Sequence, residues 1–321
     1  MFFGIEDTKT KNFFAICNSI ASNHECTRNS LAQTAHLSYP TVSKTVEHLL
    51  DIGIITERQS GKSYVYSFNK RYYIAVADLR GKFYMAFTDL GGHELSRMAH
   101  KESGAFFYDE KLSMFLRDSS IIGKRSFPKG YLCGVSVILP SIDDRYRDTR
   151  GILSSEARLK ALVSSYFKTQ NVCISPAVDA VIEMLSDTKS LVIMKEPSSV
   201  ICRVIGYGCD NTGILKSVST VSLGKCSSSD ELAAEIACAV GNLCDLLRPE
   251  AIYVDGECMF SASAFPRKFK TALASFNCVD SESLPPIFHT SGTLAVSAGA
   301  RLVRCAMIKN KIDSSKERNT P

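Results

Sequence analysis

Apolar residues in the first seventy positions recur three times at helical spacing and then switch to alternation. Phe13, Phe14, Ile16, Cys17 and Ile20 cluster within residues 11–22. Leu31 and Ala35 lie four apart after Thr27, and Val42, Val46, Leu49 and Leu50 stand at i, i+4, i+7 and i+8. Each set places its members on one face of a helix. Ser38 is a candidate cap for the third helix, and Pro40 in its first turn has no intrahelical N–H partner to lose. Gly53 ends that helix. Two strand-like runs follow, 54–58 and 62–68, around a turn at 59–61; Tyr64, Tyr66 and Phe68 alternate out of phase with Val65 and Ser67, and Ser60-Gly61 is a hairpin signal. Three helices and a hairpin in this order predict a winged helix-turn-helix over residues 1–70, with enough apolar surface to close a small core.

From Tyr72 the period changes. Two apolar runs flank a turn at 78–81, and a second turn falls at 89–92. A charged stretch at 93–120 reads as helix-compatible. It leads to a buried strand at 134–140 and a polar loop, then to helix at 153–168, strand at 171–176 and helix again at 177–187. Strands at 190–195 and 198–208 precede an amphipathic helix at 229–247, with Leu232, Ile236, Val240, Leu243 and Leu247 along one side. A strand closed by Asp255-Gly256 comes next. Strands alternating with helices predict an α/β sheet protein. The polar tail, 309–321, is expected to be disordered.

Composition narrows the classes. A chain of 321 residues, 45% hydrophobic and 22% charged, can build two or three compact units. The longest apolar run, 131–140, falls well short of the ~20 residues a membrane span needs, so no membrane partner is expected. Acidic residues stand near the N-terminus where a signal peptide would be basic, and a cytoplasmic location is expected. The twelve cysteines are scattered with no CxxC pair, which suits small reduced core residues and not a disulfide frame or zinc knot. Net charge is +5, and the first seventy residues are nearly charge-balanced, so any DNA footprint must come from arrangement.

That arrangement is a polar face on the third helix: Tyr39, Thr41, Ser43, Lys44 and His48. Short hydroxyls and a lysine near the start of such a helix can reach base edges and phosphates in the major groove. Arg58 and Lys62 near the hairpin tip are candidates for gripping the adjacent phosphate backbone. The competing reading is a small helical module that binds protein, in which His48 is merely a solvated helix residue.

Beyond the head, four segments together resemble the ROK family, which joins a winged helix-turn-helix to a sugar-kinase body. They are IAVADLRGKFYMAFTDLGG with its Asp78-Leu79-Arg80-Gly81 turn, GVSVILPSIDD with Gly134, Pro140 and Asp144, NLCDLLRPEAIYVDGE ending in Asp255-Gly256, and TLAVSAGARLV. The resemblance implies an α/β body with a two-lobed, actin-like (ribonuclease H-like) ATPase fold. Its first lobe would span 71–178 with a closing helix at 292–308, and its second lobe 179–291.

The departures from the family pattern shape the functional expectation. Where the resemblance implies an Asn-Asp pair carrying the general base, this chain has Pro176 and Ala177, and alanine cannot accept a proton. Where it implies a glycine-rich second phosphate loop, residues 197–203 read PSSVICR, and Arg80 replaces a glycine of the first loop. The Glu-x-Gly-His and cysteine-rich zinc motifs have no counterpart, and Cys226 is isolated. Asp144 and Asp179 remain as tentative effector-binding carboxylates. The expectation is therefore a DNA-binding transcriptional regulator, a repressor, with no catalytic residue, cofactor or metal. Its expected partners are an operator in double-stranded DNA, a second copy in a homodimer, and a small-molecule effector. A sugar kinase with an accessory DNA-binding head and a protein-binding scaffold stay open as alternatives.

Overall fold

The computed structural model describes residues 8–80, 83–99, 109–140, 156–185, 189–195, 199–205, 219–222, 229–256, 265–276, 282–290 and 292–318. The head consists of helices α1 (Thr8–Asn23), α2 (Arg28–Thr34) and α3 (Tyr39–Asp51), followed by an antiparallel hairpin of β1 (Ile55–Ser60) and β2 (Ser63–Phe68). Its core joins Phe13, Ile16 and Ile20 of α1 to Leu31, to Val42, Val46 and Leu49 of α3, and to Tyr66 of the hairpin. Thr27 caps α2 by accepting a bond from the Ser30 amide at 3.2 Å. Ser38 occupies the cap position of α3 but bonds no backbone amide; its hydroxyl lies 2.8 Å from that of Thr41. Gly53 turns the chain out of α3 at φ +71°, a conformation that disfavours side chains. The hairpin turn is Gly61-Lys62, tighter than the three residues that the sequence suggests, with Gly61 at φ +61°.

The body holds two five-stranded sheets built on one plan. In the first the order is β5-β4-β3-β6-β7, from β3 (Tyr72–Asp78), β4 (Tyr84–Thr88), β5 (Glu94–Ala99), β6 (Tyr131–Leu139) and β7 (Val172–Pro176). The first three strands form an antiparallel meander, and β6 and β7 continue the sheet in parallel. The second sheet repeats this as β10-β9-β8-β11-β12, with β8 (Ser190–Lys195), β9 (Ser199–Ile205), β10 (Ser219–Ser222), β11 (Ala251–Asp255) and β12 (Ile287–Thr290).

Alternation along the strands divides the packing, because successive side chains point to opposite faces. Ala75, Ala77, Val135 and Val137 pack with α4 (Asp109–Ser126) and α5 (Glu156–Phe167). From the other face Ile74, Val76 and Ile138 meet α6 (Ala177–Met184) and α9 (Thr293–Arg318). In the second sheet Leu191, Ile193, Ile252 and Val254 pack under α7 (Ser229–Leu247) and α8 (Phe265–Phe276), while Val192 and Met194 turn toward α9. The inner faces of both sheets thus converge on the cluster that α6 and α9 share.

Three elements depart from the sequence reading. Residues 94–99, read as helix-compatible from their charge, form edge strand β5 against β4. An edge strand tolerates charge, and Glu94 and Arg97 pair there at 2.7 Å. The tail read as disordered continues α9 to Arg318, because Ile308 and Ile312 bury against the body and head core. Within α3 the buried face includes Thr45, while Leu50 is only half-buried. Among the described residues no helix is long and apolar enough to cross a membrane.

Candidate functional site

The polar face of α3 stands clear of the head core. Tyr39 and Lys44 are exposed, Thr41 and Ser43 are half-covered, and Lys62 projects at the exposed hairpin turn. Two candidates are differently placed from the sequence expectation. His48 turns toward α1 and packs edge-on against the Phe13 ring at 5.1 Å, and burial together with Lys9 pushes its imidazole below the ordinary histidine range. It stands as a neutral packing residue. Arg58 is already engaged with Glu25 at 2.9 Å, though both side chains are at least half in water. Solvent screens such a pair, so it is weak and exchangeable. Arg28 went unnoticed in the sequence: its guanidinium lies 5.6 Å from the centre of the Tyr66 ring and 3.9 Å from Glu47, bracing α2 against the hairpin and α3.

A second constellation lies between the two five-stranded sheets. Asp78 ends β3 in the first sheet and Asp255 ends β11 in the second, and Arg80 bridges them. Its Nη2 donates to Asp78 Oδ2 at 2.8 Å, its Nε contacts both Asp78 oxygens, and its backbone amide donates to Oδ1 at 3.0 Å. Its Nη1 reaches Asp255 Oδ2 at 3.5 Å. The three side chains are 7%, 11% and 0% exposed for Arg80, Asp78 and Asp255, which makes this a buried centre and not a surface pair. Asp255 also accepts from the Thr290 hydroxyl and from the Leu294 amide at 3.3 Å. Burial pushes the Asp255 carboxyl upward, and Arg80 and Thr290 pull it back.

Chemically this centre is a closed ion-paired lock. The guanidinium lies between the two carboxylates and donates to both. Ala177, at the position where the sequence resemblance implies a base, is fully buried at the start of α6. The aligned second phosphate loop is in part a strand, since residues 199–203 lie within β9. Asp179 is exposed in the first turn of α6. Asp144, Gly81, Cys226 and residues 196–198 lie outside the described residues. Among the described residues no three His, Cys, Asp or Glu side chains come together to hold a metal ion. In the sequence alone Arg80 marks only a lost glycine. Its distal partner lies 175 residues away, a pairing that no local pattern carries.

No family model matches the sequence, and no curated protein matches it. Solved structures do. The chain is similar in fold to a ROK family transcriptional regulator, a homologue of the E. coli MLC protein, at TM-score 0.61 and 12% identity, covering 96% of this chain and 100% of that one. It is also similar to a ROK family glucokinase from Streptomyces griseus, solved with glucose and AMPPNP, at TM-score 0.52 and 11% identity, covering 72% of this chain and 99% of the kinase. At such identities the likeness is one of fold: a mixed α/β architecture shared by regulators and sugar kinases of that family.

Proposed function

We propose that the chain is a DNA-binding transcriptional regulator, acting as a repressor and a homodimer, whose head is a winged helix-turn-helix and whose kinase-like body performs no phosphoryl transfer. The observation that carries the reading is the exposed N-terminal face of α3 beside the hairpin, with Tyr39, Thr41, Ser43, Lys44 and Lys62 on the accessible side. The likeness to a transcriptional regulator over 96% of the chain supports it. In this reading α3 enters the major groove and the hairpin meets the phosphate backbone, where Arg58 exchanges Glu25 for a phosphate oxygen. His48 serves the head core.

The kinase reading would need groups that position phosphates and accept a proton. The buried lock at Asp78, Arg80 and Asp255 and the alanine at 177 support its exclusion. Asp144 and Asp179 remain the candidate effector-binding carboxylates. Incubating the full chain with a randomised duplex pool and sequencing the retained fraction tests the proposal. The expected result is an enriched two-fold sequence with half-sites about 10 base pairs apart. A retained pool with no sequence preference would overturn it in favour of a protein-binding scaffold.

A further inference from the structure

Helix α9 begins at the lock and ends at the head. The Leu294 amide, in its first turn, donates to the same Asp255 carboxylate that Arg80 grips through its other oxygen. One turn pair later Arg301 donates to the Met184 carbonyl at the end of α6. Arg304 is 3% exposed and splits its guanidinium between the Leu90 carbonyl of the β4–β5 turn, at 2.7 Å, and Asn18 Oδ1 of α1, at 2.9 Å. It also lies 5.5 Å from the centre of the Phe68 ring at the end of the hairpin. Farther along, the Lys311 ammonium donates at 2.8 Å to the carbonyl of Ile52, the residue that caps the C-terminus of α3, and packs over the Tyr72 ring.

These contacts have a common geometry. Residues 294, 301, 304 and 311 fall within an arc of about 100° on the helix, and Leu294 and Lys311 are separated by about 25 Å of continuous backbone. A helix of that length moves as a rigid body. Burying a guanidinium against neutral acceptors is costly, and Arg304 retains an Nε with no hydrogen-bond partner. An ammonium at the C-terminal end of α3 meets the negative end of that helix's dipole. Each of these polar groups sits where α9 changes partner: second sheet, α6, head core, then α3.

We infer that α9 is a rigid coupling rod that transmits the state of the Asp78–Arg80–Asp255 lock to the recognition helix, with Arg304 and Lys311 as positioning residues. Closed, the lock holds Leu294 and hence the register of α9. Released, it lets α9 shift and carries the Ile52 end of α3 with it. The consequence for regulation rests on the head being the DNA-binding part; the coupling itself does not.

Hydrogen–deuterium exchange of the full chain without DNA tests it. Arg80→Met is expected to raise exchange across residues 39–51 of α3 about tenfold, although Arg80 lies in the body, as expected for loss of charge-assisted bonding transmitted to a local opening. In a Lys311→Met background the same change should add little, whereas a Lys311→Arg background, which keeps a cationic donor, should preserve the response. Should Arg80→Met fail to fold, Thr290→Val removes a single bond to Asp255 and is expected to act in the same direction with smaller size. Faster exchange confined to residues 72–99 and 251–256, with α3 unchanged, would overturn the coupling. Independent, multiplicative effects of the two substitutions would do the same. If duplex selection fails while the exchange result holds, the DNA reading falls and the rod stands.

Discussion

Arg80 replaces a small residue at a turn where the resemblance implies close approach of backbone to phosphate, and the lock it forms alters what the cleft can hold. Removing it strands Asp255 in an apolar setting. Arg80→Gly should therefore cost about 3–5 kcal/mol of stability at neutral pH, as expected when one partner of a buried pair is lost. The pH dependence follows from the upward push on Asp255. A carboxyl whose folded pKa lies above its unfolded value contributes stability below the unfolded pKa and loses it as pH rises. With Arg80 gone the push is larger, so the melting-temperature deficit of Arg80→Gly should shrink toward pH 4 and be greatest near pH 7. A deficit unchanged between pH 4 and pH 8 would contradict the assignment. The variant is also expected to show no sugar-dependent ATP consumption, because Ala177 still offers no base. The cysteines follow the core reading only in part: Cys17 is buried and desolvation pushes its thiol up to about 12, whereas Cys133 and Cys173 are half-buried and Cys238 is exposed, because apolar neighbours in sequence do not fix which face of an element a residue takes.

Elements with a strong period were legible in the sequence, and those shaped by distant partners were not. α3, the hairpin and the nineteen-residue α7 follow from their apolar spacing. Strand β5 does not, because its Glu94 and Arg97 suit an exposed helix equally well until β4 is present to pair with it. Helix α8 carries Phe265, Phe269 and Leu273 at four-residue spacing, a signal readable in the sequence. The end of α9 is polar on its outer side and buries only single apolar residues at each turn, so composition alone mistakes it for a loose tail. Ile312 is 1% exposed there. Ile312→Ala should accordingly destabilise the protein by about 2–4 kcal/mol, read by chemical denaturation. A truly disordered tail would give no change.

At the scale of the whole molecule, one sheet plan occurs twice in this chain, and its fold is similar to that of two solved structures, one a regulator and one a kinase. The resemblance in four short segments suggested that plan because turns and strand ends are local. What it did not contain is how the two halves meet: a guanidinium between carboxylates of both sheets, and one helix running from that point to the head. The contacts that join the halves and reach the head are non-local: Arg80–Asp255 spans 175 residues and Lys311–Ile52 spans 259. In the proposed account these features make the body a support and coupling device for the head.

The most direct test of that account is the salt dependence of binding to the duplex that selection enriches, measured for the parent chain and for a Lys44→Ala, Lys62→Ala double variant. Each lost phosphate contact reduces the slope of log K against log salt by about one unit. The account predicts weaker binding and a slope shallower by about two units in the double variant. Unchanged affinity and slope would contradict the placement of α3 and the hairpin on DNA.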